Sequence, residues 1–133
     1  MKKNSNEQLI QKAKEVAQIH KSSEQVIIGE VGCALLSQKG DLYLGVSIQA
    51  CCGIGFCAEH SAIANMFLNQ EYRIKRIVAV CADGTILPPC GRCREFMYEV
   101  DQKNNDTEIV LEKNRVVKLK DLLPEPWQNK FKE

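Results

Sequence analysis

The sequence predicts an α/β fold, a mixed five-stranded sheet covered by helices on both faces. Three observations carry this reading: one amphipathic segment precedes two adjacent strand-like runs, extended and helical periods alternate after them, and turn-forming residues separate the pieces. With 133 residues, 44% hydrophobic and 26% charged, the chain suits a single domain over 1–133 with a real core. It shows no repeat, low-complexity tract or linker.

In residues 6–20, Leu9, Ile10, Ala13, Val16, Ala17 and His20 recur at three- and four-residue steps, the stripe of a helix packed on a sheet. His20 is read as a helix-terminal residue compatible with the dipole, without chemistry. Residues 31–37 and 42–48 flank Gln38-Lys39-Gly40-Asp41, a turn-forming set, so an antiparallel hairpin is expected, with Gly45 relaxing its second strand. Residues 50–56 hold two glycines and no period, a loop of the kind that lines pockets.

Cys57 opens a helix to about residue 69, burying Ala58, Ala62 and Met66. Residues 74–81, with Ile77-Val78-Ala79-Val80, form a buried strand, and 83–89 a loop ended by two prolines. Cys90 opens a second helix to about residue 102, with Cys93, Phe96, Met97 and Val100 on one stripe. Asn104-Asn105-Asp106 breaks the chain before strands at 108–111 and 115–119. A short helical turn at Leu122-Leu123 and a tail marked by Pro124 and Pro126 close it.

Eighteen basic and seventeen acidic residues give a net charge of +1, so no global field draws in nucleic acid or an anionic membrane, and a small near-neutral substrate is favoured. The local run Lys113, Arg115, Lys118 and Lys120 is read as a solvated face. Met1-Lys2-Lys3-Asn4 is followed by charged residues rather than an apolar core, so neither a signal peptide nor a membrane span is expected there, and cytoplasmic residence is the expectation. Seven cysteines, an odd number, argue against a disulfide framework. Cys33 and Cys81 lie in apolar runs as small buried hydrophobes, and Cys51 and Cys52 are left without a role.

The remaining thiols form a pattern. Cys90 and Cys93 can place both sulfurs on one side of a single turn. Cys57 from another element completes three protein ligands and leaves a fourth tetrahedral position for water. Glu59, two residues after Cys57, would stand beside the metal without ligating it, where a carboxylate can move a proton. Two other readings use the same cysteines: a redox pair at Cys90-x-x-Cys93, and a structural four-cysteine zinc knot drawing on Cys51 or Cys52. Against both stands Cys57-Ala58-Glu59, a third element that redox work does not need and that aligns a base rather than a fourth thiol.

These motifs, Cys57-Ala58-Glu59 and Pro89-Cys90-Gly91-Arg92-Cys93, resemble residue by residue the signature of the cytidine deaminase superfamily in its small three-cysteine zinc form, which includes cytidine deaminases and blasticidin-S deaminases. The resemblance runs from about Val31 to Trp127 and is looser outside the motifs. It implies a cytidine deaminase-like three-layer α-β-α sandwich around the five-stranded mixed sheet. It also implies one Zn2+ per chain on Cys57, Cys90 and Cys93, with Glu59 as the catalytic proton shuttle in hydrolytic deamination of a cytosine-type nucleoside. Ser47, Gln49, Phe56 and Ala58 become substrate-binding candidates, and a homotetramer or homodimer the expected assembly. An inactive zinc-binding relative remains the alternative.

Two departures stand out. Three thiolates on Zn2+ leave a net −1 site that asks for nearby positive charge. His60 occupies a position the family usually fills with arginine, leaving His60, Arg92 and Arg94 as candidates to tune the site. The family's ribose-binding Asn-x-Glu is replaced by Ser47 and Gln49, which keep the alternation of one strand face but lose the carboxylate. Gln49→Glu is therefore expected to improve cytidine binding. A blasticidin-S-like glycoside is as compatible as cytidine, and Phe56 and Trp127 are candidates to stack on the base.

Overall fold

The computed structural model describes residues 4–131, so the basic start at Met1-Lys2-Lys3 lies outside the described residues. In chain order the elements are α1 (Asn6–Val16), β1 (His20–Ser23), β2 (Val26–Ser37), β3 (Leu42–Ala50), α2 (Ala58–Phe67), β4 (Ile74–Cys81) and β5 (Ile86–Leu87). After them come α3 (Gly91–Val100), β6 (Glu108–Glu112), β7 (Arg115–Lys118) and α4 (Leu119–Leu122), with 3-10 turns at Cys51–Gly53, Gln102–Asp106 and Trp127–Phe131.

The sheet has seven strands, not the five expected. Five form its body in the order β3, β2, β4, β6, β7, antiparallel except for the parallel pair β4 and β6. The two additional strands are short. β1 pairs with the start of β2 ahead of β4, and β5 pairs with Ala79 and Val80 of β4. All four residues of β1 are exposed, so no alternation of apolar and polar residues announces it. α1 ends at Val16, and His20 opens β1 with Nδ1 2.8 Å from the Gln18 carbonyl. The sequence-based helix was therefore about one turn too long, because Ala17 and His20 continue its stripe by coincidence of spacing.

Period-two alternation divides β2 between two cores. Cys33 and Leu35 pack with Ala62, Ile63 and Met66 of α2 and Met97 of α3, while Ala34 and Leu36 pack with Leu9 and Ala13 of α1. Ile77 and Ile109 join the first cluster, Val78 and Val110 the second. Helices thus cover both faces of the sheet, the three-layer arrangement expected.

Gly45 has a different task from relaxing a strand. A Cβ there would come 2.3 Å from the Ala62 nitrogen and 2.5 Å from the Ala58 carbonyl, so its lack of a side chain lets α2 lie directly on β3. Both obstructing atoms are backbone and cannot rotate away. Gly45→Ala is expected to destabilise the fold by about 3 kcal/mol and lower Tm by roughly 10 °C. Calorimetry checks this, and an unchanged Tm would show that the helix gives way freely.

α3 is held at both ends. Buried Asn104 accepts from the Ile74 N–H at 2.8 Å and donates to the Tyr72 and Met97 carbonyls at 2.9 and 3.0 Å, joining the end of α3 to the start of β4. From the other side, Arg94 donates to the carbonyls of Pro89 (2.7 Å) and Leu122 (3.2 Å). The Trp127 N–H donates to Glu95 at 2.9 Å, and the Tyr98 hydroxyl to Asn129 at 2.8 Å. The segment expected to be a tail rests on α3.

Candidate functional site

Cys57 and Cys90 are the N-cap residues of α2 and α3, both in extended backbone conformation and neither making a side-chain cap hydrogen bond. Each thiol therefore stands at a helix N-terminus, and at Cys90 the Arg92 and Cys93 N–H groups favour the thiolate. Cys93, in the first turn of α3, is fully buried. Cys57 Sγ lies 3.3 Å from Cys90 Sγ, and Cys90 Sγ 3.6 Å from Cys93 Sγ. All three sulfurs fall within 4.8 Å of one another.

The donor set fits zinc. Two Zn–S bonds of about 2.3 Å at a tetrahedral angle separate their sulfurs by about 3.8 Å, close to the spacings seen. A disulfide would require about 2.05 Å, so these are three free thiols. Burial pushes the Cys57 and Cys93 thiols above their ordinary range. Burial acts on Cys90 in the same sense but is outweighed by the Cys93 and Arg92 N–H groups and the two neighbouring thiols, which bring it below that range. Three such thiols can all ionise together only around a cation. Cys51 and Cys52 are exposed in the preceding 3-10 turn and do not join the group, which removes the four-cysteine knot.

Glu59 is 5% exposed in the first turn of α2. Burial raises its carboxyl above the usual range, opposed by its own backbone N–H and by a hydrogen bond with Cys93. His60 turns its Nδ1 to Cys93 Sγ at 3.3 Å and stacks on Phe96 with ring centroids 4.4 Å apart. Burial and the Arg92 charge lower the imidazole pKa. Arg94 directs its donors to the Pro89 and Leu122 carbonyls, shaping the turn that carries Cys90 rather than answering a thiolate.

A cavity of about 290 Å3 adjoins the thiols, near the lower end of small-molecule pockets. Ser47, Gln49, Phe56, Cys57, Ala58, Glu59 and Cys90 all line it, so seven of the twelve sequence candidates share one space. Cys93, His60, Arg94 and the exposed Arg92 are not among its lining residues. Trp127 is outside the lining, 63% exposed and stacked on Phe131 at 4.5 Å. Val31, Ile48, Ala79, Leu87 and Pro88 supply apolar walls suited to a flat ring.

One polar lining residue was missed entirely. Glu30 of β2 faces the cavity and accepts a hydrogen bond from Gln49 Nε2 at 2.8 Å. Its signal was Gly29, an isolated glycine before an apolar run, which marks a bulge. Among the described residues, no helix is long and apolar enough to cross a membrane. In the basic run, Lys118 and Lys120 face Asp106 at 3.9 and 3.5 Å, and Lys113 faces Glu7 at 3.6 Å.

Comparison with known proteins agrees with this geometry. The sequence profile of the cytidine and deoxycytidylate deaminase zinc-binding region matches residues 3–106. A cytidine deaminase of Halalkalibacterium halodurans is 33% identical over 83 residues, 62% of this chain and 61% of that protein, so the match spans less than two thirds of it. A cytidine deaminase of Mycobacterium tuberculosis is 29% identical over 99 residues, 73% of this chain and 71% of the other. The crystal structure of cytidine deaminase from that organism superposes with a TM-score of 0.75 at 25% identity, covering 91% of this chain and 95% of that one. The Mycobacterium leprae enzyme gives 0.73 at 27%, covering 90% and 97%.

Proposed function

The chain belongs to the family of the cytidine and deoxycytidylate deaminase zinc-binding region, and from that premise we propose that it is a zinc-dependent hydrolase that deaminates a cytosine-containing nucleoside to the uracil form with release of ammonia. The observation that carries this reading is Glu59, buried at the edge of the cavity that the thiols of Cys57 and Cys90 also line. A redox pair would have no use for a carboxylate fixed there.

Cys57, Cys90 and Cys93 would hold the zinc. When bound, the ion supplies Lewis acidity that makes a water acidic near neutral pH. Glu59 receives one proton of the water that adds to ring C4 and delivers it to the ring nitrogen, then takes the proton of the new C4 hydroxyl and hands it to the departing amine as the C4 carbonyl forms. One C–O bond forms, the C–N bond breaks, and ammonia leaves. Phe56 and the apolar walls hold the aminopyrimidine flat, and the buried floor at Ala58 limits its depth. Cytidine, deoxycytidine and a blasticidin-S-like glycoside all present the same ring. A single domain assembling as a homotetramer or homodimer in the cytoplasm, acting on a small molecule rather than nucleic acid, completes the proposal.

The cavity lining includes two carboxylates, Glu30 and Glu59, and no Lys, Arg or His. A phosphate group brought to about 8 Å from one carboxylate costs about 2 kcal/mol at an effective dielectric of about 20. Cytidine is therefore expected to exceed cytidine 5′-monophosphate in kcat/KM by at least about 30-fold. Protein of known zinc content is assayed by ultraviolet absorbance and ammonia release on cytidine, deoxycytidine, blasticidin S and the monophosphate. Zinc-loaded protein that releases ammonia from none of them would overturn the deaminase reading, and preference for the monophosphate would overturn the charge argument.

A further inference from the structure

Resting on the deaminase reading, we propose that Glu30 is the specificity residue for the sugar side of the substrate, its carboxylate accepting a hydrogen bond from a nucleoside hydroxyl. β2 and β3 pair in register at Ile28 with Ile48 and again at Gly32 with Val46, so β2 spends four steps where β3 spends two. The two extra residues form a bulge. Gly29 makes it possible with φ +86°, in close contact with Gln18, whose carbonyl would lie 2.3 Å from any added Cβ. Ser47 stabilises it, its Oγ accepting the Val31 N–H at 2.9 Å that the interrupted ladder leaves without a strand partner.

The bulge changes which side Glu30 serves. Continued from the Ile27 and Gln49 pair, an unbroken ladder would set Glu30 opposite Val46 and on the other face from Gln49. The interruption brings the two side chains together at the cavity instead. Gln49 Nε2 holds Glu30 Oε2 at 2.8 Å, while Oε1 has no protein hydrogen-bond partner among the described residues. A carboxylate fixed through one oxygen and open through the other is built to receive a donor. Ser47 already accepts the Val31 N–H, and the walls around them are apolar, so Glu30 is the strongest acceptor the cavity offers apart from Glu59. Gln49 is then a positioning residue. Gln49→Glu would replace the holding donor with a second carboxylate at the same place, and so weaken cytidine binding rather than improve it.

The test compares cytidine with 2′,3′-dideoxycytidine in zinc-loaded wild type, Glu30→Ala and Glu30→Gln, alongside calorimetric binding of the product uridine. Both variants are expected to raise KM for cytidine about tenfold with kcat changed less than about threefold, to weaken uridine binding in parallel, and to lower the preference for cytidine over dideoxycytidine at least about fivefold. Equal losses on both substrates, a loss confined to kcat, or no change in KM would overturn the assignment while leaving the deaminase reading intact. Wild type inert on cytidine yet active on blasticidin S would overturn this inference alone, and wild type inert on every cytosine substrate named above would overturn the deaminase reading and this inference with it.

Discussion

Zinc-loaded Glu59→Ala is expected to retain about one zinc per chain and to lose deamination by about 10²–10⁴-fold, the range attached to a positioned general acid–base. Metal is retained because the three sulfurs, within 4.8 Å of one another, do not depend on Glu59 for their spacing. Catalysis goes because no other carboxylate lining the cavity sits next to the thiols: Glu30 is held at Gln49. Zinc content and kcat are measured on the same sample. Turnover within about threefold of wild type would remove the proton-shuttle role, and loss of zinc would make Glu59 part of the metal site itself.

Cys93→Ala is expected to do more, abolishing both metal and activity. Cys93 is fully buried between Cys90, His60 and the Met97 core, so its loss leaves two ligands and an apolar gap where a third was fixed. Two thiolates do not make a tetrahedral site that retains zinc against a chelator, and zinc should fall below about a tenth of an equivalent per chain after chelator dialysis. Cys51→Ala and Cys52→Ala, altering exposed thiols outside the group, keep a full equivalent. Zinc retained by Cys93→Ala, or lost from the Cys51 and Cys52 variants, would mean a different ligand set.

How legible this site was depended on whether a signal was local. β4 spans Ile74–Cys81, the bounds read around its apolar cluster Ile77-Val78-Ala79-Val80, and both Cys57 and Cys90 begin helices as the sequence indicated. Local period and spacing suffice for such features. β1 escaped because it is a fully exposed strand with no buried face, and β5 because two residues cannot show a period. Glu30 escaped for a stronger reason: a bulge breaks the alternation by which side chains are assigned to faces, and pairing across strands decides where its carboxylate lies. Gly45 and Arg94 were noticed for the right positions and the wrong work. An α2 backbone contact and two carbonyl partners come from tertiary packing, which no one-dimensional pattern contains.

The hydrogen bonds that join residues 122–129 to α3 give the end of the fold an unexpected responsibility. Arg94, Glu95 and Tyr98 grip that segment within the turn and a half of helix that follows Cys93. Arg94 also reaches back to Pro89, so one guanidinium latches the turn bearing Cys90 to the strap that crosses α3. The strap behaves as a splint: set in place, it fixes the pitch at which two sulfurs are presented, and removed, it leaves their helix free to rock. Engineering that trims or fuses the chain near Leu122 would therefore be felt first as slack in the metal-binding turn.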